Sequence, residues 1–143
     1  EAQTPAFVPE GEGDVRVANP LNTREPCMRR SLLPSLLRRV EHNFSRGARD
    51  VRLFELGTSF RAAGRGEQPV ERTHLVAAFT GRREPPHWSV PEAPFTVWDL
   101  KAVLEDAAAR AWRGTASVAP APDASGLFAP PFQPFFTSLI ESP

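Results

Sequence analysis

The spacing of apolar positions changes period along the chain. Leu33, Leu36, Leu37, Val40 and Phe44 recur at intervals of three and four, with Arg38, Arg39, Glu41 and His42 between them. That rhythm predicts a helix with one face in a core. Ser31 stands where it can cap the helix. Pro34 fits only in a first turn, where its missing N–H costs nothing, and Gly47 supplies a stop. Over 51–60 the period falls to two, which predicts a strand. Arg52, Phe54, Leu56, Thr58 and Phe60 share one side; Val51, Leu53, Glu55, Gly57 and Ser59 share the other. The second side passes from apolar to acidic to very small, which suits a sheet surface with an open groove at one end. A glycine-bearing loop over 62–68 and a second strand over 73–80 complete an antiparallel hairpin.

A short strand is expected at Val15–Val17, followed by a loop from Asn19 to Pro26. Residues 85–94 read as a proline-rich connection. A second helix then begins at Thr96-x-x-Asp99, a capping box with Asp in place of Glu. Val97, Leu100, Leu104, Ala107, Ala108 and Ala111 give its buried stripe, and Lys101/Glu105 and Asp106/Arg110 are i,i+4 pairs on its solvent side. Gly114 is its expected stop, with a third strand over 115–118. Two helices, hairpin strands and no βαβ alternation predict an α+β fold built on an antiparallel sheet flanked by helices.

Composition narrows the chemistry. Lys plus Arg and Asp plus Glu each number 17, so bulk charge does not attract a polyanion. Neither DNA binding nor a membrane is expected: no apolar run approaches the roughly 20 residues of a span. Cys27 is the only cysteine, so no intrachain disulfide forms, and a reducing cytoplasm is the default. His42, His74 and His87 lack metal-ligand spacing. No serine sits in a nucleophile elbow, and no glycine loop for phosphates is present. Glu55 is a mid-strand carboxylate that either faces a groove or pairs with a neighbouring arginine; the second is favoured, because a general base needs a geometric partner. Arg24, Arg29, Arg30, Arg38 and Arg39 form the densest basic cluster. The proline- and phenylalanine-rich end, with Phe128, Phe132, Phe135 and Phe136, is too apolar for a free tail and calls for a cover.

Several pieces of this chain resemble the beta subunit of bacterial phenylalanyl-tRNA synthetase. They are Asn19-Pro20-Leu21, Met28-Arg29-x-Ser31-Leu32-Leu33-Pro34-x-Leu36-Leu37, Asn43, Leu53-Phe54-Glu55-Leu56-Gly57 and Phe60. The resemblance implies a class II aminoacyl-tRNA synthetase-like core. The whole chain, 1–143, is then one such domain from a longer protein, with 119–143 poorly assigned. In that family a strand ending Phe-Arg-x-Glu begins the second signature motif; here Phe60-Arg61-Ala62-Ala63 occupies its place. The arginine of an active motif clamps the ATP α-phosphate, but the acidic position is Ala63, and the glycine-rich third motif is absent. The site is therefore read as vestigial, with no catalytic residue.

The family enzyme joins phenylalanine to its tRNA with ATP and magnesium. The resemblance implies an alpha2-beta2 assembly whose alpha subunit holds the active site, with this domain a scaffold. No cofactor is expected in this chain itself, and tRNA is met through the whole enzyme. Phe60 and Arg61 are the motif remnants, and Glu55, Gly57 and Ser59 line the possible groove. Arg29, Arg30, Arg38 and Arg39 are candidate RNA or partner contacts. The alternative is a stand-alone synthetase paralogue binding a nucleotide or amino acid beside Glu55, with Arg61 and Arg65 turned inward.

Overall fold

The computed structural model describes residues 1–111. Its elements run β1 (Phe7–Val8), β2 (Val15–Arg16), β3 (Cys27–Met28), α1 (Leu33–Ser45), β4 (Arg52–Arg61), β5 (Val70–Phe79) and α2 (Val97–Ala111). This is an α+β arrangement with two sheets. The three short strands pair antiparallel in the order β1-β3-β2, with Phe7 and Val15 both opposite Met28. The two long strands, β4 and β5, pair with each other across the connection 62–69. So short a connection permits only a hairpin.

Residues 1–48 and 53–78 form one compact unit. Leu32 and Leu36 from the start of α1 meet Val76 of β5 in its core, with Leu33, Leu53, Ala78 and Ala2 packed around them. Leu36 is fully buried and Val40 nearly so, while Leu37 and Phe44 are half-buried. The apolar stripe is real, but Leu32, just before the helix, is one of its deepest members. Pro34 lies in the first turn as expected. Ser31 does not cap in the expected way: Leu32 is the N-cap, in helical conformation and without a side-chain cap bond. Ser31 Oγ instead accepts from Leu33 N at 3.3 Å. Gly47, at φ 87°, ends the helix by donating to Phe44 O at 3.0 Å. Few residues other than glycine adopt that backbone cheaply.

The second unit takes 49–52 and, among the described residues, 79–111. Val51, Leu100 and Leu104 are buried in it. Phe79 and Phe95 stack with centroids 4.9 Å apart, and the Arg52 guanidinium lies over the Phe95 ring at 6.0 Å. The capping box of α2 forms as the spacing predicts: Thr96 N and Oγ1 donate to Asp99 Oδ2 at 2.8 and 2.6 Å. Lys101–Glu105 and Arg110–Asp106 pair on the surface at 2.8 and 2.9 Å. Val97 departs from the expected stripe and is exposed. The expected strand at 115–118, the Gly114 stop and the aromatic end lie outside the described residues.

Candidate functional site

The buried face of β4 gathers the residues of interest. Alternation along the strand holds: Glu55 and Ser59 are buried, while Arg52, Phe54 and Leu56 are exposed. The face is filled rather than open. Arg29, on the chain just after β3, lays its guanidinium across it. Nη1 donates to Glu55 Oε1 at 2.8 Å, to Thr4 Oγ1 at 2.8 Å and to Thr4 O at 3.2 Å, and Nε donates to Thr58 O at 3.0 Å. Thr4 in turn donates to the carboxylate, from Oγ1 to Oε2 at 2.8 Å and from its backbone N to Oε1 at 3.2 Å. Arg29 and Glu55 side chains keep only 6% and 2% exposure. Two buried charges are tolerable only when paired and hydrogen-bonded, as they are here.

Gly57 follows from that packing. A Cβ placed there would meet Arg29 Nη2 at 2.5 Å and Leu32 Cδ2 at 3.0 Å. The very small position read from sequence as room for a ligand is room for an arginine. Main-chain bonds tie the same residues further: Arg29 N donates to Ala6 O at 2.8 Å and Phe60 N to Arg29 O at 2.9 Å. Ala2 N donates to Phe54 O at 2.8 Å. Ser59 Oγ lies 2.8 Å from His74 Nε2, a buried contact between the two strands of the hairpin.

The remaining sequence candidates do not gather there. Phe60 is half-buried, and Arg61 is exposed at the strand's end, without an ion pair among the described residues. A ligand site in the hairpin loop would turn Arg61 and Arg65 around a pocket; every residue over 61–68 is exposed. The depression lined by Pro85, Pro86, His87 and Val90 contains none of these residues. Of the basic cluster, Arg29 is withdrawn from any external contact by its bonds to Glu55. Arg38 is exposed but held by Glu12, at 2.9 and 3.0 Å to its two oxygens. Arg30 and Arg39 are exposed.

Thr4 and His74 were not legible in the sequence. Thr4 is 51 positions from Glu55, and nothing local marks it. In the second unit, Asp50 and Arg82 pair through Oδ2 at 2.6 Å and 3.0 Å. The Arg82 side chain, then its backbone N–H, hold the Asp50 carboxyl below its ordinary 3.8. The Thr96 hydroxyl and N–H do the same for Asp99. Among the described residues no group of three or more His, Cys, Asp or Glu is placed to hold a metal, and no helix is long and apolar enough to cross a membrane.

The family model of the phenylalanyl tRNA synthetase beta chain CLM domain matches residues 5–128, and the chain belongs to that family. Its relatives include phenylalanine–tRNA ligase beta subunits. That of Rhodospirillum rubrum is 33% identical over 138 residues, covering 91% of this chain and 17% of the relative. That of Xanthomonas campestris pv. campestris is 41% identical over 93 residues, covering 65% and 12%. That of Syntrophus aciditrophicus is 35% identical over 91 residues, covering 64% and 11%. The chain thus spans less than a fifth of the length of these relatives.

Proposed function

We propose that this chain is a class II synthetase-like core within the beta subunit of a phenylalanine–tRNA ligase, and that it carries out no aminoacylation chemistry. It acts as a scaffold for the ligase's alpha subunit, which holds the active site. The whole enzyme charges tRNA with phenylalanine in the cytoplasm, using ATP and magnesium; this domain holds neither.

One observation carries the reading. The face of β4 that would floor a ligand groove is packed by the Arg29 guanidinium and Leu32, and Glu55 beneath them is 2% exposed. A carboxylate that spends its lone pairs on Arg29 and Thr4 is not poised to take a proton or hold a substrate amine. Arg61, the remnant of a phosphate clamp, is exposed, with Ala63 at the motif's acidic position. Stabilising a transferring adenylate needs several preorganised groups around one reacting centre, and a single exposed arginine does not supply them.

Pyrophosphate exchange with phenylalanine and ATP tests the proposal. The chain alone is expected to show none above a buffer control, while the ligase assembled from alpha and the full-length beta subunit shows it. Phenylalanine-dependent exchange by the chain alone would overturn the noncatalytic reading.

A further inference from the structure

Ion pairs occupy many of the protein's basic side chains. Arg16, Arg29, Arg38, Arg82, Arg83 and Arg110 each meet a carboxylate, as does Lys101. Arg39 and Arg46 do not, among the described residues. Both are exposed, and so is His42. Their positions on α1 and at its C-cap place them together. At 3.6 residues per turn, Arg39, His42 and Arg46 fall within an arc of about 60° and span about 10 Å along the axis. Glu41, the carboxylate within α1, lies about 100° or more around the helix from each of the three. Arg38, which Glu12 neutralises, lies about 40° beyond His42 at the edge of the arc and about 80–100° from Arg46 and Arg39.

Two further features bear on what this ridge meets. Asn43 Nδ2 donates to Arg39 O at 2.7 Å, and the backbone N–H of the Arg46 cap bonds to Asn43 O at 3.1 Å, so the ridge stands on a well-closed helix end. The large apolar side chains exposed on the described residues, such as Leu21, Phe54, Leu56 and Trp88, all lie off α1. A protein interface is built around an apolar or aromatic centre. A phosphate backbone needs only spaced cations and donors.

We propose that Arg39, His42 and Arg46 form a contact for the phosphate backbone of folded RNA, which on the function proposed above is the ligase's tRNA. The two arginines engage separate phosphates, and His42 between them offers a ring nitrogen as a hydrogen-bond donor. The zero formal net charge of the chain makes this a local contact rather than a long-range attraction. It also moves the RNA-facing role from Arg29 and Arg38, whose charges are already met, to residues farther along the helix.

The test uses the complete ligase, alpha with full-length beta, carrying Arg39→Gln and Arg46→Gln together. Three readouts are taken: co-purification of the subunits, tRNA-independent pyrophosphate exchange, and tRNA affinity across a salt series. Assembly and exchange should be unchanged. Affinity should fall roughly tenfold, and the slope of log affinity against log salt should lessen by about 2, one for each phosphate no longer neutralised. Arg39→Lys with Arg46→Lys should retain most of the affinity, since a phosphate contact asks chiefly for charge. Unchanged affinity and slope with exchange intact would overturn the ridge and leave the scaffold reading standing. Loss of co-purification would also overturn it, making this face a contact for the alpha subunit. An unsubstituted ligase that neither exchanged pyrophosphate nor bound tRNA would sink the function and the ridge together.

Discussion

The two compact units each hold an arginine–carboxylate pair, and the pairs are chemically alike. Arg29–Glu55 closes at 2.8 Å and Arg82–Asp50 at 2.6 Å. They differ in surroundings. The first is sealed among Thr4, Gly57 and Leu32, with side chains at 6% and 2% exposure; the second stands at 38% and 34%. In water a missing partner is replaced by solvent. In the sealed pair nothing replaces it, and the surviving charge is left in a low-dielectric interior. The shorter distance therefore belongs to the pair that matters less, because what decides the cost is the medium around the survivor.

Glu55→Ala should show the largest effect. It strands the Arg29 guanidinium and should cost about 3–5 kcal/mol. Urea denaturation measures it, and a loss below 1 kcal/mol would mean that water reaches Arg29. Leu36→Ala removes a fully buried apolar side chain from the same unit. It should cost about 2–5 kcal/mol by transfer and cavity formation. If it melts as the wild type does, the α1 face is open in solution. Gly57→Ala comes next, at about 1–3 kcal/mol, as overpacking against a guanidinium that its four hydrogen bonds hold in place. A neutral Gly57→Ala would show Arg29 free to step aside.

Thr96→Ala removes the α2 cap and should cost about 1 kcal/mol. It has an acid arm with a defined sign. The folded-state pKa of Asp99 is depressed below 3.8, so the carboxylate's contribution is fully present above that value and is lost as pH falls through the folded-state pKa. Proton NMR titration of Asp99 should place its midpoint below 3.8 in the wild type and closer to 3.8 in Thr96→Ala. A midpoint that does not move assigns the depression to the residue-96 backbone N–H and Arg83 rather than to the Thr96 hydroxyl. Smallest of all, Asp50→Asn should leave urea midpoints nearly where they are. A loss matching that of Glu55→Ala would erase the contrast between the units.

What the sequence disclosed depended on how local each cause was. The 3.6 rhythm of 33–44 and the alternation of 51–60 each mark the face that one element buries, the Thr96–Asp99 spacing reports bonds at the start of one helix, and each element forms. Strands β1 and β3 are two residues long and carry no period to read. The occupant of the β4 face was harder still. Glu55 and Gly57 marked an unusual surface, but whether it would be empty depended on Arg29 and Thr4, 26 and 51 positions away. Arg29 stood in the sequence as one arginine among several near α1; only tertiary packing separates it from Arg39.

Thr4 between Arg29 and Glu55 has a consequence for the order in which the chain is made. As synthesis proceeds, Arg29 emerges well before Glu55, so its guanidinium precedes the carboxylate it closes on. Thr4, already present, can offer only a hydroxyl and a carbonyl. Burying the arginine on those alone would leave its charge uncompensated. Arg29 should therefore stay solvated until the strand carrying Glu55 is available. Thr4, Arg29 and β4 then close together around one carboxylate.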